Sequence, residues 1–210
     1  MKILGIDPGI GICGFGLIED DKALDYGVVT TPINSPLPGR LKELYDSLKE
    51  VFAETKPDVI SVEKLFFSKN ITTGIAVAEA RGIVLLVAEQ NHLPVFEYTP
   101  NEIKKTLTGY GSANKHQMQE MVKLHLKLEE IPKPDDAADA LAAAITHSLI
   151  IPRLSTSSKT ATTTRKASSS ILSQAGASTF SLNMSVTSWR NTSRSQSSSP
   201  TTRWKSRLST

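Results

Sequence analysis

Apolar residues come in short alternating or continuous blocks for the first thirty positions and then recur at helical spacing. Lys2–Ile6 is an apolar run closed by Asp7-Pro8-Gly9, where proline and glycine stop a strand. Ile12–Ile18 and Leu24–Thr31 are two further strands, joined by the acidic turn Glu19-Asp20-Asp21-Lys22, and the three predict an antiparallel meander. A helix follows Pro38-Gly39, with Leu41, Leu44, Tyr45, Leu48, Val51 and Phe52 on one face. Val59–Glu63, preceded by Pro57, is the fourth strand. Thr72–Glu89 reads as a helix that is apolar nearly all round and carries Gly74 and Gly82. Such a helix is covered by the core on one side and by something else on the other, a second subunit among the candidates. Val95–Tyr98 is the fifth strand. Thr99-Pro100-Asn101-Glu102 is a capping box with proline at the first helical position. Ser112 is the expected cap of a helix carrying Met118, Met121 and Val122, and a last helix starts near Pro134-Asp135 and runs through Ala137–Ser148. The order βββαβαβα, with extra helical pieces late, predicts a three-layer α/β domain around a five-stranded mixed sheet. Periodicity leaves the strand order open.

The pattern ends near Ile150, which divides the chain into a body, 1–150, and a tail, 151–210. Of the 60 tail residues 29 are Ser or Thr, too polar a composition to offset the entropy of ordering them, so the tail reads as disordered. Charge divides at the same point. All 21 acidic residues lie in the body with 15 Lys and Arg, a formal charge of −6, whereas the tail has 9 Lys and Arg and no acid. A basic tail of this kind either adds weak, salt-sensitive binding to DNA or is a plain solvated extension, and the abrupt loss of acids also fits translation in a shifted frame. No run of 18 apolar residues predicts a membrane span, and the amino terminus is too soon interrupted by charge for a secretory signal. The single cysteine, Cys13, lies in an apolar, glycine-rich run. It reads as a small buried hydrophobe, and one cysteine fits a cytoplasmic location.

Four carboxylates sit where sequence offers them little structural support. Asp7 ends the first strand, where open α/β sheets place ligands, and an Asx turn with Pro8-Gly9 explains it equally well. Glu63 closes an apolar strand, where an unpaired charge costs several kcal/mol (roughly, by transfer scales) unless metal or a partner meets it; the alternative is a surface Glu beside Lys64. Asp136 and Asp139, at i and i+3, share one helix face among alanines. Favourable charge at a helix start explains Asp136 better than it explains Asp139, one turn further in. Oxygen donors without a Cys or His pattern suit hard cations such as Mg²⁺ or Mn²⁺, and two such ions can serve phosphodiester cleavage. His92, His116, His125 and His147 form no zinc pattern. His147, eight residues past Asp139, reads as a packed or exposed histidine, with a supporting role behind the cluster as the alternative.

The body resembles the RuvC-type Holliday junction resolvases. The resemblance rests on Gly5-Ile6-Asp7-Pro8-Gly9, Val62-Glu63-Lys64-Leu65-Phe66, Ala80-Arg81-Gly82, Pro94-Val95-Phe96-Glu97-Tyr98, Gly111-Ser112-Ala113-Asn114-Lys115 and Asp136-Ala137-Ala138-Asp139-Ala140-Leu141-Ala142, followed by Ala144-Ile145-Thr146-His147. Each alone is weak, but their order across the body is specific. The resemblance implies a ribonuclease-H-like fold, a homodimer, and Mg²⁺-dependent nicking of two opposed strands of a four-way DNA junction in recombination and repair. Mg²⁺ is expected as two ions per subunit, with Mn²⁺ able to substitute. Asp7, Glu63, Asp136 and Asp139 match the family's catalytic, metal-holding acids, Lys104 and Lys115 its basic residues near the junction backbone, and Phe66 its aromatic near the junction centre. A base stacked on that ring gains about 1–3 kcal/mol; Phe67 is the alternative for this place, and a core position is the alternative for either ring. A branch-migration motor of RuvA and RuvB type is the implied partner, and no membrane is. The tail departs from the family, which usually ends shortly after the last helix. A junction-binding protein without catalysis would lack one of the carboxylates. A nuclease acting on RNA would share the fold, and an actin-like ATPase would need a second lobe that this body is too short to supply.

Overall fold

The computed structural model describes residues 1–64 and 71–151, with side chains of 71–73 left out. The tail from residue 152 onward and Phe66 therefore lie outside the described residues. Strand β1, Lys2–Asp7, pairs antiparallel with β2, Ile12–Glu19, which pairs antiparallel with β3, Lys22–Thr30. The expected meander thus forms. On the other side, β1 pairs parallel with β4, Val59–Glu63, and β4 parallel with β5, Val95–Tyr98, so the order is β3-β2-β1-β4-β5. A parallel pair needs a crossover, which helices supply. Helix α1, Leu37–Thr55, links β3 to β4, and α2, Ile71–Gln90, precedes β5. Helices α3, Pro100–Thr108, α4, Lys115–His125, and α5, Asp135–Ile150, complete the domain.

Strands β2 and β3 extend into the expected turn, to Glu19 and from Lys22, and two helix starts also differ from the sequence reading. Helix α1 includes Pro38 and Gly39 in its first turn, where a missing N–H costs nothing, instead of starting after them. Helix α4 is capped by Asn114, not Ser112: Asn114 Oδ1 accepts from Gln117 N–H and Gln117 Oε1 accepts from Asn114 N–H, both at 2.9 Å. Ala113, between the two candidate caps, is buried in the same cluster as Met118 and Val122, and the helix starts two residues past it, at Lys115. The capping box of α3 forms as read, from Thr99 and Glu102 with Pro100 at the first turn.

Side-chain alternation divides the core between the two sheet faces. Leu4, Ile6, Phe15, Ile60 and Val62 pack with α1 and α2. Ile3, Ile18, Val59 and Tyr98 pack with α3, α4 and α5. On this second face α5 lies against bare backbone. A Cβ on Gly5 would fall 1.9 Å from the Ala140 carbonyl oxygen, and one on Gly14 would fall 2.0 Å from that of Asp136. Ala137, Ala140 and Ala144 on α5 are fully buried, the small-residue helix face that permits such an approach. Gly14→Ala is expected to lower the unfolding free energy by about 3 kcal/mol or more, because backbone cannot yield as a side chain would; urea denaturation checks it.

Candidate active site

Parallel pairing of β1 and β4 puts Gly5 beside Ser61 and Ile6 beside Val62. Since side chains alternate, Ile3, Gly5 and Asp7 face α5, as do Val59, Ser61 and Glu63. Asp7 and Glu63 are thus brought to the same end and the same face of adjacent central strands. Ser61 Oγ donates to the Ala143 carbonyl at 2.7 Å and holds β4 to α5. Gly14 is the cross-strand partner of Asp7, and it is over Gly14 that the first turn of α5 passes. Asp136 is thereby set beside Asp7, and Asp139 follows one turn further along α5.

The charges report this convergence. The Asp7 carboxyl is pushed up to about 7, first by burial and then by repulsion from Glu63, Asp139 and Asp136, with Lys115 opposing. Burial also raises Glu63, reinforced by Asp139 and opposed by Lys104. Burial raises Asp139 in turn, with Lys115 opposing and Asp136 and Asp135 adding repulsion. The Lys115 ammonium lies 3.1 Å from Asp135 and 3.5 Å from Asp139. Burial works to lower Lys115, but these hydrogen bonds and charges outweigh it and raise it. Gln119 braces Asp135 at 2.9 Å. An open cleft of about 280 Å³ is lined by Glu63, Asp139, Lys104, Lys115, Ile103 and Met118, among others. Asp7 and Asp136 are not among its lining residues.

Among the described residues no three carboxylate, imidazole or thiol groups converge closely enough, as placed, to enclose an ion. The four acids form a looser cluster, and an ammonium supplies the counter-charge at its Asp139 side. Hard oxygen donors that repel one another fit a divalent cation, which would reverse the sign of the site.

His147 is a packed residue. It is fully buried, its Nδ1 lies 2.8 Å from the Tyr98 hydroxyl, and its ring sits 4.4 Å from that of Phe96. Burial lowers its pKa. Cys13 is buried as expected, and burial pushes its thiol up to about 12, far from a nucleophile's range. Sequence reading did not find Ser61, Gly5 or Gly14 as parts of the site. The available signal was the two-residue spacing of Gly5 to Asp7 and Ser61 to Glu63 within apolar strands.

A mixed sheet with carboxylates at the ends of its two central parallel strands, crossed by a helix bearing two more, defines a nuclease of the ribonuclease-H-like fold. Residues 3–147 match the family described as crossover junction endodeoxyribonuclease RuvC. A protein of that name from Brevibacillus brevis is 50% identical over 151 residues, covering 70% of this chain and 91% of its own length. One from Desulfitobacterium hafniense is 52% identical over 151 residues, covering 70% and 92%. The structure of T. thermophilus RuvC in complex with Holliday junction substrate superposes with a TM-score of 0.67 at 36% identity, covering 71% of this chain and 93% of that one. The chain belongs to the RuvC family of crossover junction endodeoxyribonucleases.

The raised Asp7 pKa has a defined effect on metal-free stability. Below about pH 4 Asp7 is protonated in both the folded and the unfolded chain; between about 4 and 7 only the unfolded chain loses the proton, so stability falls as pH rises through that window. In EDTA at pH 8, Asp7→Asn is expected to be more stable than wild type by on the order of 2–4 kcal/mol, and at pH 4 by almost nothing. Chemical denaturation at the two pH values measures this.

Proposed function

We propose that this chain resolves four-way DNA junctions by paired, divalent-metal-dependent nicks. The observation that carries the reading is the mutual repulsion of Asp7, Glu63, Asp136 and Asp139 on one face of the sheet, beside Lys104 and Lys115. Membership of the family and the junction-bound T. thermophilus relative supply the substrate. The activity is assigned to residues 1–150.

Asp7, Glu63, Asp136 and Asp139 would hold Mg²⁺, two ions per subunit, with Mn²⁺ as a substitute. When bound, such ions supply positive charge that activates water and stabilises the leaving oxygen in phosphodiester cleavage. The chain's own residues prepare the rest. Lys104 and Lys115 hold the junction backbone and neutralise phosphate charge beside the cluster. Lys115 is held by Asp135 and Asp139 before DNA arrives, and Asp135 is held in turn by Gln119. Met118 and Ile103 give the cleft an apolar wall that limits water beside Glu63. Phe66 is assigned to stacking at the junction centre.

A four-way junction has two-fold symmetry, and a C₂ dimer offers it two identical sites. The outward face of α2 is the proposed interface. Ile75 and Leu86 are 52% and 47% exposed, with Gly82 open between them at helical spacing. Cooperation with a branch-migration motor of RuvA and RuvB type, in the cytoplasm, completes the reading. Among the described residues no helix is long and apolar enough to cross a membrane.

Asp7→Asn is expected to abolish nicking of a synthetic mobile junction in Mg²⁺ while junction binding in Ca²⁺ persists. Wild-type nicking at an equal rate in excess EDTA would falsify the metal-dependent reading, and equal rates on linear duplex or RNA–DNA hybrid would remove the junction specificity. Leu86→Asp is expected to convert the dimer to a monomer in sedimentation equilibrium and to suppress paired nicking.

A further inference from the structure

The end of the sheet that carries Asp7 and Glu63 has a second flank. Because β2 runs antiparallel to β1 and β3 antiparallel to β2, β2 begins and β3 ends at this same edge. Helix α1 starts seven residues after β3, and Arg40 lies in its first turns. Arg40 Nε donates to Thr31 Oγ1 at 2.9 Å. The buried Thr31 in turn donates its hydroxyl to the Ile10 carbonyl and its N–H to the Gly11 carbonyl, the latter at 3.1 Å. Arg40 Nη2 lies 3.4 Å from where a Gly11 Cβ would stand. The guanidinium is therefore pinned over the turn that leads out of Asp7.

A brace for that turn does not require a cation. Thr31 already ties down Ile10 and Gly11 with its own hydroxyl and amide. Among the described residues Arg40 forms no salt bridge, and Nε is its hydrogen-bonded nitrogen. A partly exposed guanidinium without a salt bridge among the described residues, on the turn that leads out of Asp7 in a body of formal charge −6, is open to an anion. A planar guanidinium held by one nitrogen keeps its others for a phosphate, and the fixed side chain loses little freedom on binding.

We infer that Arg40 binds a DNA phosphate on the β2–β3 flank of the carboxylate cluster, opposite the flank occupied by Lys104 and Lys115. The DNA backbone then crosses the acids between cations on both sides, so repulsion by the cluster is offset in both directions along the strand. This rests on the junction-nuclease reading.

The test uses the full chain and a synthetic four-way junction at a fixed, low Ca²⁺ concentration, with affinity measured by fluorescence anisotropy from 50 to 200 mM KCl. Arg40→Gln and Arg40→Ala are expected to flatten the slope of log affinity against log salt by about 0.9 and to weaken binding by about three- to ten-fold at 100 mM. Arg40→Lys keeps the slope, and so does Thr31→Val, which removes the internal bond and leaves the charge. Thermal melts of each variant confirm folding. Unchanged slope and affinity in a folded Arg40→Gln overturn the inference while leaving the nuclease reading intact. Equal losses in Thr31→Val and Arg40→Gln overturn it too, by showing that Arg40 only braces the turn. Absence of junction binding by the wild type overturns both readings.

Discussion

Helix α5 lies directly on the backbone of β1 and β2, and the functional end of the molecule depends on that contact. Gly5 and Gly14 remove the side chains that would hold it away, and the alanines of α5 bring its own backbone down to meet them. The gain is dispersion contact at close range, together with the Ser61 hydrogen bond. The consequence is positional. A helix seated one side chain's width further from the sheet would lift Asp136 and Asp139 away from Asp7 and Glu63, and four acids would become two separate pairs.

Bringing them together opposes folding. Burial and mutual repulsion both penalise ionised Asp7, Glu63 and Asp139, and the surrounding packing has to absorb the cost. Two apolar cores supply the stabilisation, one on each sheet face. The basic residues are arranged to moderate the strain. Lys115 opposes Asp7 and pairs with Asp139 at 3.5 Å, and Lys104 opposes Glu63, yet all three carboxyls stay raised. Such a site stores electrostatic energy that a cation can release on binding, which is the physical route from an acidic body to an enzyme acting on a polyanion.

Much of this was legible residue by residue. Strand ends at Asp7 and Glu63, the aspartate pair on an alanine-rich helix and the Thr99–Glu102 box are local patterns, set by period and by neighbours within four positions. The misplaced cap of α4 shows the limit of local reading: Ser112 and Asn114 are both good caps, and the helix takes Asn114, which exchanges two hydrogen bonds with Gln117. His147 shows it again. Its sequence left a packed, an exposed and a cluster-supporting histidine open, and only the fold selects the packed one, by bringing up Tyr98 and Phe96 from a strand about fifty residues earlier.

The sequence by itself determined which chemical groups this protein has to work with and the elements that carry them, because both follow from residue type and short-range periodicity. It also carried enough ordered motif to identify the family. Tertiary structure decided that the four acids share one face. The parallel register of β1 against β4, the seat of α5 over Gly5 and Gly14, and the reach of Lys115 to Asp139 all join residues far apart in the chain. Contacts of that kind are set by packing and chain crossover, and no local pattern specifies them.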